Sequence, residues 1–223
     1  MSKTRWSVLS LALVALLFGV AGQAAAVPVT IINFGFELPV ESDGSFSTTA
    51  NAAVGWSHDA TAGVWNPSAS QAYGGVAPEG SNIAYSNSGP LSQTLTTLLT
   101  PNTTYTLQVL VGNRQDVTGF PGYQIQLLAG STILSQCVTC VTPLEGVFAP
   151  VTVTFTSGSS VTPGQFLGIV LDSDGIQTNW DNVRLDAVAS VPAVPEPSTL
   201  LLLGSGLVAV VGWNNRRRRK SAL

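Results

Sequence analysis

Apolar and polar residues alternate along much of the chain between residues 27 and 190. Every second position is apolar in the segments 105–111, 123–129 and 151–155, and the positions between them are mostly Thr or Gln. A period of two buries one face of a strand and leaves the other in water, which is typical of antiparallel sheets. Turn-forming residues such as Phe120-Pro121-Gly122 separate these segments. The pattern predicts an all-β fold, a jelly-roll-like antiparallel β-sandwich of eight or more strands.

The first 26 residues have the pattern of a secretory signal peptide. Lys3 and Arg5 precede an apolar run, and Ala24 and Ala26 supply the small residues at the two positions that signal peptidase reads. We therefore expect a signal-peptide helix over 1–26 that signal peptidase removes before Val27. The alternative is an uncleaved membrane anchor.

The C-terminal part of the chain has three segments in a fixed order. A stiff stretch around Pro195-Glu196-Pro197 comes first, an uncharged apolar run over 199–213 follows, and a block of five basic residues occupies 216–220. Fifteen helical residues span about 22 Å, which is short against a hydrocarbon core of about 30 Å. The positive-inside rule places the basic block in the cytoplasm. The sequence thus predicts a short transmembrane helix over 199–213, a basic cytoplasmic tail over 216–220, and a β-sandwich domain over 27–190 outside the inner membrane.

This tail resembles the PEP-CTERM sorting signal of Gram-negative bacteria. The resemblance covers 194–223 within a sorting-signal segment over 191–223, and it implies that Pro195, Glu196 and Pro197 form the element that an exosortase recognises. It also implies export through the inner membrane, transient anchoring, and a final place in the cell envelope, at the cell surface or in the medium. That family is associated with exopolysaccharide and biofilm matrix. The alternative is an ordinary tail anchor with a proline-rich linker.

Two short motifs resemble the galactose-binding-like jelly rolls, which include several carbohydrate-binding modules. Asn33-Phe34-Gly35-Phe36-Glu37 with Gly55-Trp56 is similar to their opening, and the segment 179–185 is similar to their closing strand. The resemblance implies a structural Ca²⁺ held by Glu37 and Asp181 together with backbone carbonyl oxygens. The alternative is that Glu37 is a solvated acid and that Asp181 caps a turn.

Charge is segregated along the chain. Between residues 27 and 194 the only basic residues are Arg114 and Arg184, against eleven acidic residues. Such a domain repels a phosphate backbone, which excludes nucleic acid as a partner. The many hydroxyl and amide side chains suit a neutral partner such as a polysaccharide.

Aromatic side chains are the candidate contacts for such a ligand. We expect Trp56 and Trp180 to belong to the core, and we single out Trp65, Tyr73 and Tyr85 as candidate ligand-binding residues that would need to be exposed. Candidate hydrogen-bonding partners are Asn66, Gln71, Asn82 and Asn113.

The two cysteines, Cys137 and Cys140, are expected to form a local disulfide, because the domain is exported and lacks the βαβ context of a redox motif. Catalytic motifs are scarce: the domain has one histidine, His58, no lysine and no Gly-x-Ser-x-Gly elbow. We therefore expect no catalytic residues and no enzymatic activity. The sequence favours a non-catalytic surface or matrix protein that binds polysaccharide. The alternatives are a structural surface protein without a sugar site and, less favoured, a glycoside hydrolase with two suitably spaced acids.

Overall fold

The structure is a computed structural model that describes residues 24–47, 49–190, 204–208 and 213. The described residues form ten β-strands. They are β1 (Val27–Val29), β2 (Ala62–Trp65), β3 (Ile83–Asn87), β4 (Leu91–Leu98), β5 (Thr103–Asn113), β6 (Tyr123–Ala129), β7 (Thr132–Val138), β8 (Val147–Thr156), β9 (Phe166–Ser173) and β10 (Ile176–Ala189). The segments with a period of two at 105–111, 123–129 and 151–155 lie in β5, β6 and β8.

The described strands form two antiparallel sheets. One has the order β2-β3-β10-β5-β8, with β1 paired to the C-terminal part of β10, and the other has the order β4-β9-β6-β7. Residues Ala25–Ser190 form one compact unit. The predicted all-β, jelly-roll-like antiparallel sandwich is confirmed.

The inner faces of the two sheets enclose the main core. Its fully buried side chains come from both sheets and are mostly branched aliphatic residues, and Trp56 and Trp180 lie within it, as the sequence predicts. The larger members are Phe36, Leu91, Tyr105, Leu107, Tyr123, Ile125, Leu127, Leu167, Ile169, Leu171 and Trp180.

A second apolar cluster covers the outer face of the six-stranded sheet. Residues directly opposite each other in an antiparallel pair share a face, and the register pairs Gly63 with Tyr85, Tyr85 with Asn179, Asn179 with Gly112, and Gly112 with Phe148. Their chain neighbours Val64, Ala84, Trp180 and Val111 belong to the main core. The outer cluster, as we call it, consists of Trp65, Ala72, Tyr73, Ile83 and Tyr85, with Ala77 and Phe148 packed against it.

The sequence predictions for the chain ends fall largely outside the described residues. This applies to the signal-peptide helix before Ala24 and to the Pro195-Glu196-Pro197 segment. Of the predicted transmembrane helix over 199–213, helix is described only at 204–208 and at 213. Among the residues that the structure describes, no helix is long and apolar enough to cross a membrane. The terminal helices are therefore not confirmed, and the domain boundaries at 26/27 and 190/191 stay predictions.

Candidate functional site

A cavity of about 190 Å³ opens on the outer face of the six-stranded sheet, beside the outer cluster. Strands β2, β3 and β10 contribute some of its walls, and the loops before β2 and after β2 and β5 contribute the rest. The lining residues are Phe46, Trp65, Gln71, Tyr85, Asn87, Arg114 and Gln177. An aromatic wall and a set of polar side chains therefore meet in one small space.

The aromatic wall depends on a close approach between β2, β3 and the segment before β2. Phe46 pairs with Trp65 through an isolated β-bridge, and its ring meets the ring of Tyr85 edge-on at 6.0 Å between centroids. The Tyr85 hydroxyl donates a hydrogen bond to the Ser47 carbonyl oxygen. Gly63 makes this possible, because a Cβ there would overlap the Ser47 hydroxyl. Burial raises the pKa of Tyr85, so its hydroxyl is neutral at neutral pH.

Tyr73 supports the cavity from behind instead of lining it. Its ring packs on Phe148 at 4.5 Å between centroids, and its hydroxyl donates to Asn179 Oδ1 over 3.0 Å. The Asn179 amide in turn donates to the carbonyl oxygen of Ala84. Burial raises the pKa of Tyr73, which keeps the hydroxyl protonated as the donor.

Arg114 is the cation of the cavity wall. Its Nε donates to Asp116 Oδ1 over 2.8 Å and its Nη2 to Asp116 Oδ2 over 2.6 Å, and its guanidinium carbon lies 4.9 Å from the centroid of the Trp65 ring. The hydrogen bond from Arg114 lowers the pKa of Asp116. This ion pair holds the guanidinium over the indole, where it covers part of the Trp65 ring.

Gln177 enters the cavity from an irregular point of β10. The pairing of β10 with β3 shifts register between Ile176 and Thr178, and Gln177 has a φ of 58°, in the left-handed region. The bulge turns the Gln177 side chain toward Tyr85 and Asn87. In the described part of the chain, no protein group hydrogen-bonds the side chains of Asn87 and Gln177, so both amides are open to a ligand.

The three candidate ligand-binding aromatics are buried, although stacking on a sugar would need them to be exposed. Trp65 is 4%, Tyr73 7% and Tyr85 5% exposed. Trp65 lies against Tyr73 and under Arg114, and Tyr85 lies against Phe46 and Ser47; both line the cavity. Ligand binding by these residues stays a prediction. Phe46, Asn87 and Gln177 carry no sequence signal that marks them as site residues, and Gln71 and Arg114 stand out in the sequence only for their polarity or charge.

Three acids lie together where the first motif meets β10. Asp181 is fully buried, and its Oδ2 and Oδ1 accept hydrogen bonds from the backbone amides of Glu79 and Asn182. Glu37 accepts hydrogen bonds from the backbone amides of Ser81 and Asn82. Burial, with smaller contributions from the charges of Glu79 and Glu37, raises the pKa of Asp181 to about 8.

The metal prediction rests on this acid group. Glu79 Oε2 is buried and has no hydrogen-bond partner among the described residues, and it lies 2.5 Å from the position that a Cβ on Gly35 would take. Within the same residues, no three His, Cys, Asp or Glu side chains are arranged to hold a metal ion by themselves. A cation bound here therefore needs backbone carbonyl ligands as well, and the site stays a prediction.

The remaining singled-out residues have local structural roles. Cys137 and Cys140 are paired as a disulfide, with 5.7 Å between their Cα atoms, at the end of β7. His58 is buried; its Nε2 accepts a hydrogen bond from the Ala53 amide, so its Nδ1 donates to the Asp59 carbonyl oxygen. Both ring nitrogens of His58 are thus used in holding a loop.

Comparison with known proteins gives the chain two matches along its length. The family described as HpiC1-like, HpiC1 cyclase, matches residues 27–186, and the PEP-CTERM protein-sorting motif matches residues 193–218. The second match includes Pro195, Glu196 and Pro197, confirms the resemblance of the tail, and implies export, processing by an exosortase and sorting to the cell envelope. No curated protein matches the chain.

Solved structures with the same fold include cyclases from Fischerella sp. TAU. The Stig cyclase Fisc in complex with (3Z)-3-(1-methyl-2-pyrrolidinylidene)-3H-indole is 33% identical over 74% of this chain and 100% of that chain, with a TM-score of 0.66. A cyclase in complex with 4-(1H-indol-3-yl)butan-2-one is 34% identical over 74% of this chain and 100% of that chain, with a TM-score of 0.64.

Likeness to carbohydrate-binding modules is weaker. The CBM22-1 xylan-binding domain from Paenibacillus barcinonensis Xyn10C is 13% identical over 77% of this chain and 100% of that chain, with a TM-score of 0.41. A likeness at this level carries no argument.

The expectation of a protein without enzymatic activity is wrong. It rested on the lack of a nucleophile, a triad or marked acids, and those features identify group-transfer and hydrolytic enzymes. Ring closure within one molecule needs neither a Gly-x-Ser-x-Gly elbow nor a catalytic triad, so the lack of these motifs does not exclude a cyclase. Both the family match over 160 residues and the full-length similarity to solved cyclases contradict the expectation. The chain belongs to the HpiC1-like cyclase family.

Proposed function

We propose that this protein is an exported cyclase that folds and closes a small, flat aromatic substrate of the indole class in the cavity beside the outer cluster. The observation that supports this most is the coincidence of two facts. A cavity walled by Trp65, Tyr85 and Phe46 lies in a domain that is 33% identical to an indole-bound Stig cyclase over that protein's whole length.

The chemistry of a cyclisation fits what the cavity offers. Intramolecular ring closure depends on holding two parts of one molecule in contact, which an enclosed site achieves by removing the substrate's conformational freedom. Aromatic rings stabilise positive charge that develops on a substrate. The amides of Asn87, Gln177 and Gln71 supply hydrogen bonds that fix its orientation. Tyr85 and Arg114 are the ionisable groups among the lining residues.

The test uses the exported full-length protein and the ketone 4-(1H-indol-3-yl)butan-2-one as a binding probe, followed by indoles that carry an alkene side chain. We expect saturable binding of the ketone by calorimetry and conversion of an alkenyl indole to a product of equal mass and different retention time. Trp65→Ala should abolish both. Phe166→Ala, on the exposed side of β9, should change neither and is the matched control. Unchanged conversion by Trp65→Ala would place the reaction elsewhere.

Polysaccharide binding is the competing function. Three aromatic rings and three amides would also suit a sugar, but Trp65 is 4% exposed and Arg114 covers part of its ring, which leaves little flat surface for a pyranose. A small planar ligand therefore fits better. Affinity electrophoresis through soluble polysaccharides distinguishes the two: retardation that Trp65→Ala removes would favour the sugar.

A structural Ca²⁺ between the first motif and β10 belongs to the same proposal. Glu37, Glu79 and Asp181 would hold it together with backbone carbonyls, and the buried, unpartnered Glu79 oxygen is the feature that fits a hard cation. The ion would link the opening segment to the last strand and would offset the repulsion among the three acids. We expect EDTA to lower the Tm and Ca²⁺ to restore it, and Asp181→Asn to lose this response. Glu145→Gln, at an exposed acid, is the control; a Tm indifferent to EDTA and Ca²⁺ would remove the ion.

The C-terminal segment determines where the cyclase works. Signal peptidase would release the domain at Val27, the apolar run over 199–213 would hold it at the inner membrane, and exosortase processing near Pro195-Glu196-Pro197 would end that anchoring. The enzyme would then act in the cell envelope or beyond it.

A further inference from the structure

We propose that Arg114 makes the cavity selective for aromatic ligands that carry a carboxylate. This inference rests on the proposed function, because it names the kind of substrate that the same cavity accepts. An indole-class ligand would place its ring against the aromatic wall and its carboxylate against the free side of the Arg114 guanidinium.

The distribution of charge singles out Arg114. The domain has eleven acidic residues and two basic ones, so its overall field repels anions. Arg184, the other cation, lies exposed on β10, where its Nε donates to Asn182 Oδ1 over 2.6 Å. Arg114 alone of the two lines the cavity, and none of the lining residues is an acid.

The guanidinium has donors to spare. An arginine has five N–H groups, and Asp116 accepts one from Nε and one from Nη2. No other protein acceptor of Arg114 is found in the described part of the chain, so three N–H groups remain. A second carboxylate can bind this remaining edge in the forked geometry that arginine favours.

The guanidinium is also held in place before any ligand arrives. The bidentate pair with Asp116 fixes its plane, and the Trp65 ring supports it at 4.9 Å. Ordering a long side chain opposes ligand binding, but the Arg114 side chain is already ordered in the folded protein. Asp116 lies outside the cavity with its side chain 38% exposed, so water screens its charge from a bound anion.

The remaining polar groups of the wall complement a carboxylate. The amides of Asn87 and Gln177 can donate to a carboxylate oxygen, and Tyr85, with its pKa raised by burial, adds no negative charge. The alternative role for Arg114 is structural: it would only brace Trp65, and the cavity would not discriminate by charge.

The experiment compares three probes of nearly equal shape on the full-length protein. They are 3-(1H-indol-3-yl)propanoate, the matching neutral propanamide, and the ketone 4-(1H-indol-3-yl)butan-2-one. By calorimetry we expect the propanoate to bind about tenfold more tightly than the propanamide at low salt. The preference should shrink as ionic strength rises, and this readout needs no variant.

Variants separate ligand binding from bracing. Arg114→Gln should reduce the preference to less than about twofold, and Arg184→Gln should leave it unchanged. If Arg114 only braced Trp65, Arg114→Gln would instead weaken the binding of all three probes equally.

The outcomes are distinct for the two proposals. Binding of the ketone without any preference for the propanoate would overturn the carboxylate inference and leave the cyclase proposal standing. A preference that survives in Arg114→Gln would also overturn the inference. Failure of all three probes to bind would overturn both.

Discussion

The two apolar clusters of this domain lie on opposite faces of the same six-stranded sheet and differ in composition. The main core is built mostly from aliphatic side chains of both sheets, and its buried polar atoms include the Trp180 Nε1, which has no partner among the described residues. The outer cluster is small and mostly aromatic, and its hydroxyls are bonded: Tyr73 to Asn179 and Tyr85 to Ser47.

The difference indicates that the main core stabilises the fold and that the outer cluster serves ligand binding. Two packed sheets supply the large apolar area that stabilises the sandwich. The outer cluster is covered only by loops, and it borders a cavity that another molecule can enter. Removing a side chain from the main core should therefore affect mainly stability, whereas removing one from the outer cluster should affect mainly ligand binding.

The largest effect should come from the two tryptophans that represent these clusters. Trp180→Ala empties a fully buried site between the sheets and should cost about 3–5 kcal/mol of unfolding free energy. Trp65→Ala should cost less, because its site already borders open space, but it should abolish binding of the indole probes. Urea denaturation and calorimetry on both variants check this. An equal loss of unfolding free energy in Trp180→Ala and Trp65→Ala would contradict the different roles of the two clusters.

A smaller effect should follow from filling the space under Tyr73. A Cβ on Gly112 would lie 2.6 Å from both the Tyr73 hydroxyl and the Phe148 ring, so Gly112→Ala should cost about 1–3 kcal/mol and distort the cavity. Gly168→Ala on β9 is the control, because its Cβ would have ordinary contacts of 3.6 Å or more. Denaturation curves measure both, and a tolerated Gly112→Ala would show that Tyr73 and Phe148 move freely.

The sandwich and main core could be predicted from the sequence because their signal is local. The apolar and polar residues of β5, β6 and β8 alternate, so the sequence of each strand alone predicts which of its side chains face the core. Trp56 and Trp180 could be assigned to the core because large aromatic side chains are usually buried.

The cavity could not be predicted because its walls come from separate parts of the chain. Phe46, Arg114 and Gln177 lie far apart in sequence and meet only through the register of β2, β3, β10 and β5. No sequence pattern predicts the bulge that turns Gln177 toward the cavity, because glutamine seldom has a positive φ. The enzymatic class could not be predicted either, because the sequence has no Gly-x-Ser-x-Gly elbow or other motif that identifies a known catalytic mechanism.

The smallest effect should come from a substitution of Tyr73. It tests whether Tyr73 only supports the cavity wall or also contacts the ligand. From the sequence, Tyr73 is a candidate ligand-binding residue together with Trp65 and Tyr85, but in the structure its hydroxyl donates to Asn179 and Tyr73 does not line the cavity. Tyr73→Phe should lower the unfolding free energy by about 1 kcal/mol, because Asn179 Oδ1 loses a buried donor, and should change indole affinity by less than about threefold. Tyr105→Phe in the main core, which loses its bonds to Thr100, is the matched control for stability. A large loss of affinity in Tyr73→Phe at unchanged stability would mean that the ligand reaches deeper than the cavity wall and that the outer cluster opens to admit it.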